Sequence, residues 1–120
     1  MTPTTELRAK LRKLLDERIP EGGSDVDTRF SDADIDELLI EATNIYEAAA
    51  AGWTIKAGMF QRELGQIESY AVGQERYDMR KLQDMVNYAL KMAETYSRMA
   101  ASSIGSIGSM ILKFKPPEVL

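Results

Sequence analysis

The stretch Ser31–Phe60, SDADIDELLIEATNIYEAAAAGWTIKAGMF, decides what kind of fold this chain can form. It opens on Ser31, a good N-cap, with Asp34 at the capping-box position and Asp32, Asp36 and Glu37 near the positive end of a helix dipole. Ile35, Leu38, Leu39, Ala42, Ile45, Tyr46, Ala49, Trp53, Ala57 and Phe60 then keep a helical phase for about seven turns. Thr43-Asn44 marks a kink or a break into two helices, because both side chains compete for backbone hydrogen bonds. The alanines at 48–51 and Gly52 leave almost no side-chain bulk, so another helix can approach closely there, beside the single large anchor Trp53. Ala48, Ala49, Gly52 and Trp53 are therefore packing candidates, toward the chain's own core or toward a second subunit.

On the N-terminal side, Leu7, Leu11, Leu14, Leu15 and Ile19 form one apolar stripe, which predicts a helix from Thr5 to about Arg18, ended by Pro20. The Glu21-Gly22-Gly23-Ser24-Asp25 loop is expected to let that helix lie at an independent angle. On the other side, Gly65–Tyr77 changes character and reads as a short extended segment or hairpin. Asp78 is the expected N-cap of a last helix from Met79 to about Ala101, carried by Leu82, Met85, Val86, Ala89, Ala93, Tyr96 and Ala100. Met85, Met92 and Met99 recur every seven residues on it, a row suited to core filling or to an adaptable contact.

Beyond that helix, Ser102–Leu120 reads SSIGSIGSMILKFKPPEVL. Each glycine of the two Ile-Gly-Ser units costs about 1 kcal/mol relative to alanine in a helix, so an interruption is expected there. Pro116-Pro117 stops any later helix or inner strand. Ile104, Ile107, Met110, Ile111, Leu112 and Phe114, with Lys113 and Lys115, then form an apolar, weakly basic arm that a small protein leaves in water only if something covers it. The cover is either a partner or the chain's own core. The arm suits addition to a sheet edge or insertion in a groove, with the lysines meeting carboxylates.

Composition narrows the function. The 120 residues hold no cysteine and no histidine, which removes disulfides, thiolate nucleophiles, Cys/His zinc sites and imidazole acid-base chemistry. No phosphate loop or nucleophile elbow is present, and the carboxylates Asp34, Asp36 and Glu37 are what a helix start wants anyway, so no enzyme and no cofactor is expected. The net charge of -4 argues against tight nucleic-acid binding. No apolar run is long enough to span a bilayer, and Glu6, Asp16 and Glu17 weaken a membrane-surface role for the basic first helix. Between Glu21 and Glu47 lie nine acidic residues and only Arg29 as a base, opposite in sign to the first helix with Arg8, Lys10, Arg12, Lys13 and Arg18. That polarity suits a solvated surface or head-to-tail contacts between copies.

The order of these features, a Ser-Asp-Ala-Asp-Ile-Asp-Glu-Leu-Leu helix start, the Ala-rich Tyr46–Trp53 segment, the Gly65–Asp78 connection and the Leu82–Tyr96 helix, resembles the head-tail connector, or adaptor, proteins of long-tailed bacteriophages over roughly Phe30–Ala101. The resemblance implies a ring, commonly of twelve copies, beneath the portal in the neck of the virion. Such a ring extends the DNA channel without sequence-specific binding and docks stopper or tail-completion proteins. It also implies a C-terminal extension reaching the portal, matched here by Ser102–Leu120, and a protein made in the host bacterial cytoplasm. The expected fold is mainly α, a small helical bundle of three or four helices with a short extended segment or hairpin and an extended C-terminal arm. The divisions are an N-terminal helix (1–20), a helical connector domain (21–101) and a partner-binding tail (102–120). A different class, a non-catalytic helical regulator or chaperone-like binding module, predicts a monomer or dimer that holds one client protein.

Overall fold

The computed structural model describes the backbone of residues 1–68 and 74–112 and the side chains of 1–67 and 79–102. Among the described residues four α-helices follow one another, α1 (Thr5–Leu15), α2 (Asp32–Glu41), α3 (Ile45–Glu68) and α4 (Gln74–Leu112), with a 3-10 turn at Asp25–Asp27. The fold is thus a mainly α bundle. Among the described residues there is no strand.

The start of α2 follows its local chemistry. Ser31 Oγ accepts the Asp34 N–H at 3.1 Å while Asp34 Oδ2 accepts the Ser31 N–H at 3.0 Å, the reciprocal capping box. Thr43 and Asn44 make a full break: Asn44 Oδ1 accepts the Glu47 N–H at 2.9 Å, and Glu47 Oε1 accepts the Thr43 N–H at 2.6 Å. Each side chain satisfies a donor that the helix itself leaves orphaned.

Four boundaries differ from the sequence expectation. Helix α1 ends at Leu15 rather than near Arg18, because Asp16 turns left-handed (φ 58°) and a Schellman closure forms from the Glu17 N–H to Arg12 O and the Asp16 N–H to Lys13 O. The loop after it does not free α1, since Leu11 and Leu15 are fully buried in the same core as α2 and α3. The Gly65–Tyr77 expectation fails at both ends, where 65–68 belong to α3 and 74–77 to α4, and its middle lies outside the described residues. Asp78 therefore lies inside α4, on its second turn, and not at its N-cap. Finally, α4 runs on through Gly105 and Gly108 to Leu112 instead of giving way to an extended arm at 102. A helix already nucleated adds one hydrogen bond per residue fixed, which offsets a glycine penalty of about 1 kcal/mol.

The core gathers Phe30, Ile35, Leu39, Trp53, Phe60 and Val86 with the buried alanines of α3 and α4. The most extensive packing is α3 against α4. Trp53 meets Tyr88 edge-on at 5.6 Å, and Tyr46 stacks on Tyr96 at 6.2 Å, so the two helices are antiparallel with the first turn of α3 beside Tyr96. From Ser97 to Leu112, α4 carries about 24 Å of further helix, of which Ala100 is still buried. The longest dimension of the molecule, 62 Å, is close to the roughly 58 Å that the whole of α4 spans.

Candidate functional site

Of the expected contact residues, Ile104, Ile107, Met110, Ile111 and Leu112 lie on the backbone of α4, on its last turns beyond Ala100. Lys113, Phe114 and Lys115 lie outside the described residues. The same helix that packs the core therefore leads directly into the arm.

The small-residue patch has a different use from the subunit contact considered for it. Ala48 and Ala49 are fully buried, Trp53 is 3% exposed, and a Cβ built on Gly52 would stand 2.5 Å from Leu15 Cδ2. The helix that approaches closely is α1 of the same chain, so these four residues offer no surface to a neighbour. In the methionine row, Met85 and Met92 pack against the core, while Met99 is exposed.

The joint between α1 and α3 also buries charge, which the reading of α1 as a solvated basic face did not anticipate. The C-terminal carbonyls of α1 receive donors from α3, Trp53 Nε1–H to Leu14 O at 3.0 Å and Lys56 Nζ to Leu15 O at 2.8 Å. Lys56 also pairs with Glu17 Oε2 at 2.7 Å, with both side chains more than nine-tenths buried, and its ammonium sits 4.4 Å from the Trp53 ring centre. Glu17 Oε1 accepts the Arg29 N–H at 2.8 Å. Arg12, 5% exposed, donates to Glu17 O, Thr28 Oγ1, Phe30 O and Asp32 Oδ1, all between 2.9 and 3.0 Å. These groups hold the 16–31 loop to α1 and α3. One signal for Lys56 was present in the sequence: it falls between Trp53 and Phe60 on the core-facing stripe of α3.

Two surface concavities flank α2. Toward α1, Arg8, Ala9, Lys13, Arg18 and Ile19 line a groove of about 530 Å³. Arg8 there pairs with Asp36, whose hydrogen bond and charge hold the guanidinium pKa above its ordinary value. Toward α3, Phe30, Asp34, Glu37, Leu38, Ile55 and Met59 line a hollow of about 140 Å³. A third pocket of about 330 Å³ lies between α3 and α4 beside Trp53, Phe60 and Tyr88. Among the described residues no group of three or more acidic side chains is placed to hold a metal ion, and no helix is long and apolar enough to cross a membrane.

No protein-family profile, curated protein or solved structure matches the chain. What the arrangement can do thus rests on its own surfaces.

Proposed function

We propose that this chain is a structural head-tail adaptor of a long-tailed bacteriophage, a subunit of a ring under the portal that continues the DNA channel and docks stopper or tail-completion proteins. It works in the neck of the virion, without a cofactor and without catalysis. The observation that supports this reading best is the continuation of the α4 backbone to Leu112, about three turns beyond Ala100, the last buried residue among those whose side chains are described. A helix that continues past the core to Met110-Ile111-Leu112, with Lys113-Phe114-Lys115 next in sequence, would give a partner a long lever and an anchoring tip. Several such tips acting on one assembly make individually weak contacts collectively durable.

Truncation tests the reading. The full chain is expected to be retained by the portal protein of the same virus in a pull-down, and a chain ending at Ser103 to be lost from it. Equal retention of both would overturn the assignment. Mass measured by light scattering, alone and with portal, separates the adaptor from a regulator that stays monomeric or dimeric on one client.

A further inference from the structure

The two concavities beside α2 differ in sign and lie on opposite sides of it. At 3.6 residues per turn, Asp32 and Asp36 share the flank facing α1, whereas Asp34 and Leu38 lie about 200° around the helix from Asp32 and 36 respectively, facing α3. The ion pairs agree with that division, since Asp36 binds Arg8 and Asp32 binds Arg12, both from α1. On the α1 flank these pairs occupy Arg8 and Arg12. Lys13 and Arg18, exposed at the groove, have no ion pair among the described residues, and Ile19 beside them is 37% exposed. On the α3 flank, Asp34, Glu37 and Glu41 run along α2 at i, i+3 and i+7. Glu37 and Glu41 have no ion pair among the described residues, and the hollow on this flank has Leu38 and Met59 in its lining, with Ile55 43% exposed at its edge.

We propose that the occupant of each surface is the other surface on a second copy: the α1 flank of one chain, with Lys13, Arg18 and Ile19, seats against the α2–α3 flank of the next, with Glu37, Glu41 and the apolar hollow. Charge complementarity sets the direction, and Ile19 against Leu38, Ile55 and Met59 supplies the apolar centre. Because the two surfaces are different and face apart, the contact is heterologous: it propagates head to tail and closes only as a ring. Closure of the ring rests on the adaptor reading, but the pairwise contact does not.

A charge exchange in the full chain tests it. Variant one carries Lys13→Glu and Arg18→Glu, and variant two carries Glu37→Lys and Glu41→Lys. Sedimentation velocity at low salt is expected to show wild-type association that falls as salt rises. Each variant alone should associate about tenfold more weakly. An equimolar mixture should regain association, because both kinds of contact then again join opposite charges. Circular dichroism melts confirm that each variant is folded. As an independent readout, the cysteine-free chain accepts Arg18→Cys or Glu37→Cys, and only the mixture of these two is expected to form a disulfide-linked dimer. A wild type that stays monomeric, folded variants that associate like it, a mixture that regains nothing, or single-cysteine variants that cross-link to themselves as well as to each other would each overturn the proposal. Retention by portal in any of those cases would leave the adaptor reading standing, and loss of portal binding with the cross-link intact would do the reverse.

Discussion

The joint that attaches α1 to α3 and the joint that attaches α4 to α3 use opposite physics on the same helix. At the first, a buried lysine, an indole N–H and a buried arginine donate to the carbonyls at the end of α1 and in the loop after it, and the Glu17 carboxylate pairs with that lysine. At the second, Val86 and Ala89 face α3 with Met85, Met92 and Tyr96 around them, and the ring contacts are Tyr on Tyr and Trp on Tyr. Burying apolar surface is strong but tolerant of small shifts, whereas a buried ion pair demands one geometry. The difference teaches where position is specified. The short α1, only 11 residues, has a short apolar stripe to orient it, while α4 has a long one and its backbone continues to Leu112.

The largest effect is expected where that contrast is broken outright. Glu17→Ala leaves the Lys56 ammonium buried without its carboxylate, and removing one partner of a buried pair costs about 3–5 kcal/mol. Replacing both, Glu17→Leu with Lys56→Met, is expected to recover most of that loss, because the desolvation of both charges disappears with them. Urea denaturation of the two variants beside the wild type measures this. If the double variant were no more stable than the single one, the ion pair would be contributing net stability rather than position.

A smaller effect is expected at the apolar joint. Ala89 is fully buried on α4, and Ala89→Leu forces extra volume between α3 and α4 at a cost of about 1–3 kcal/mol. The cost should show as a lower denaturation midpoint with the helical circular dichroism signal kept. A loss as large as that of Glu17→Ala would mean that this joint is no more tolerant than the other.

The two joints were not equally legible before the structure was known. Helix α2 is announced by Ser31 and Asp34, the break by Thr43-Asn44, and the α4 stripe by its spacing, because each is local chemistry acting within one or two turns. Arg12, Glu17 and Lys56 were not legible as a unit: Lys56 is far along the chain from the other two, and charged residues are almost never fully buried unless paired. Gly52 was legible as a place of close approach but not as to which helix approaches, since an intramolecular Leu15 and a neighbouring subunit make the same demand on it. The end of α4 was misread because glycine propensity is a modest term that a long helix overrides.

The packed and projecting parts of α4 can be told apart by the same substitution chemistry. Gly105→Ala and Gly108→Ala should each stabilise the local helix by about 1 kcal/mol. Because both sites lie beyond Ala100, the last buried residue among those whose side chains are described, the midpoint of the bundle should move by less than about 0.5 kcal/mol. Hydrogen exchange resolved by residue gives the local gain and thermal melting the global one. A global shift equal to the local one would show that this end of α4 unfolds together with the bundle.

The smallest effect concerns protons at the α3–α4 joint. Partial burial, with smaller contributions from Tyr88 and Tyr46, raises the Tyr96 phenol above its ordinary pKa of 10.0. In the unfolded chain the phenol has its ordinary value, so as pH rises past about 10 the unfolded state loses that proton first. The folded state then holds more protons than the unfolded state, and stability must fall with rising pH until the folded phenol also ionises. The contribution is complete below about pH 10 and is lost above it. Tyr96→Phe removes this titration, so its urea midpoint should decline less steeply than the wild type's on the alkaline side and run parallel to it near neutrality. Equal alkaline slopes would show that stacking on Tyr46 leaves the phenol as open to water as in the unfolded chain, and the apolar character assigned to this joint would then stop short of its outer edge.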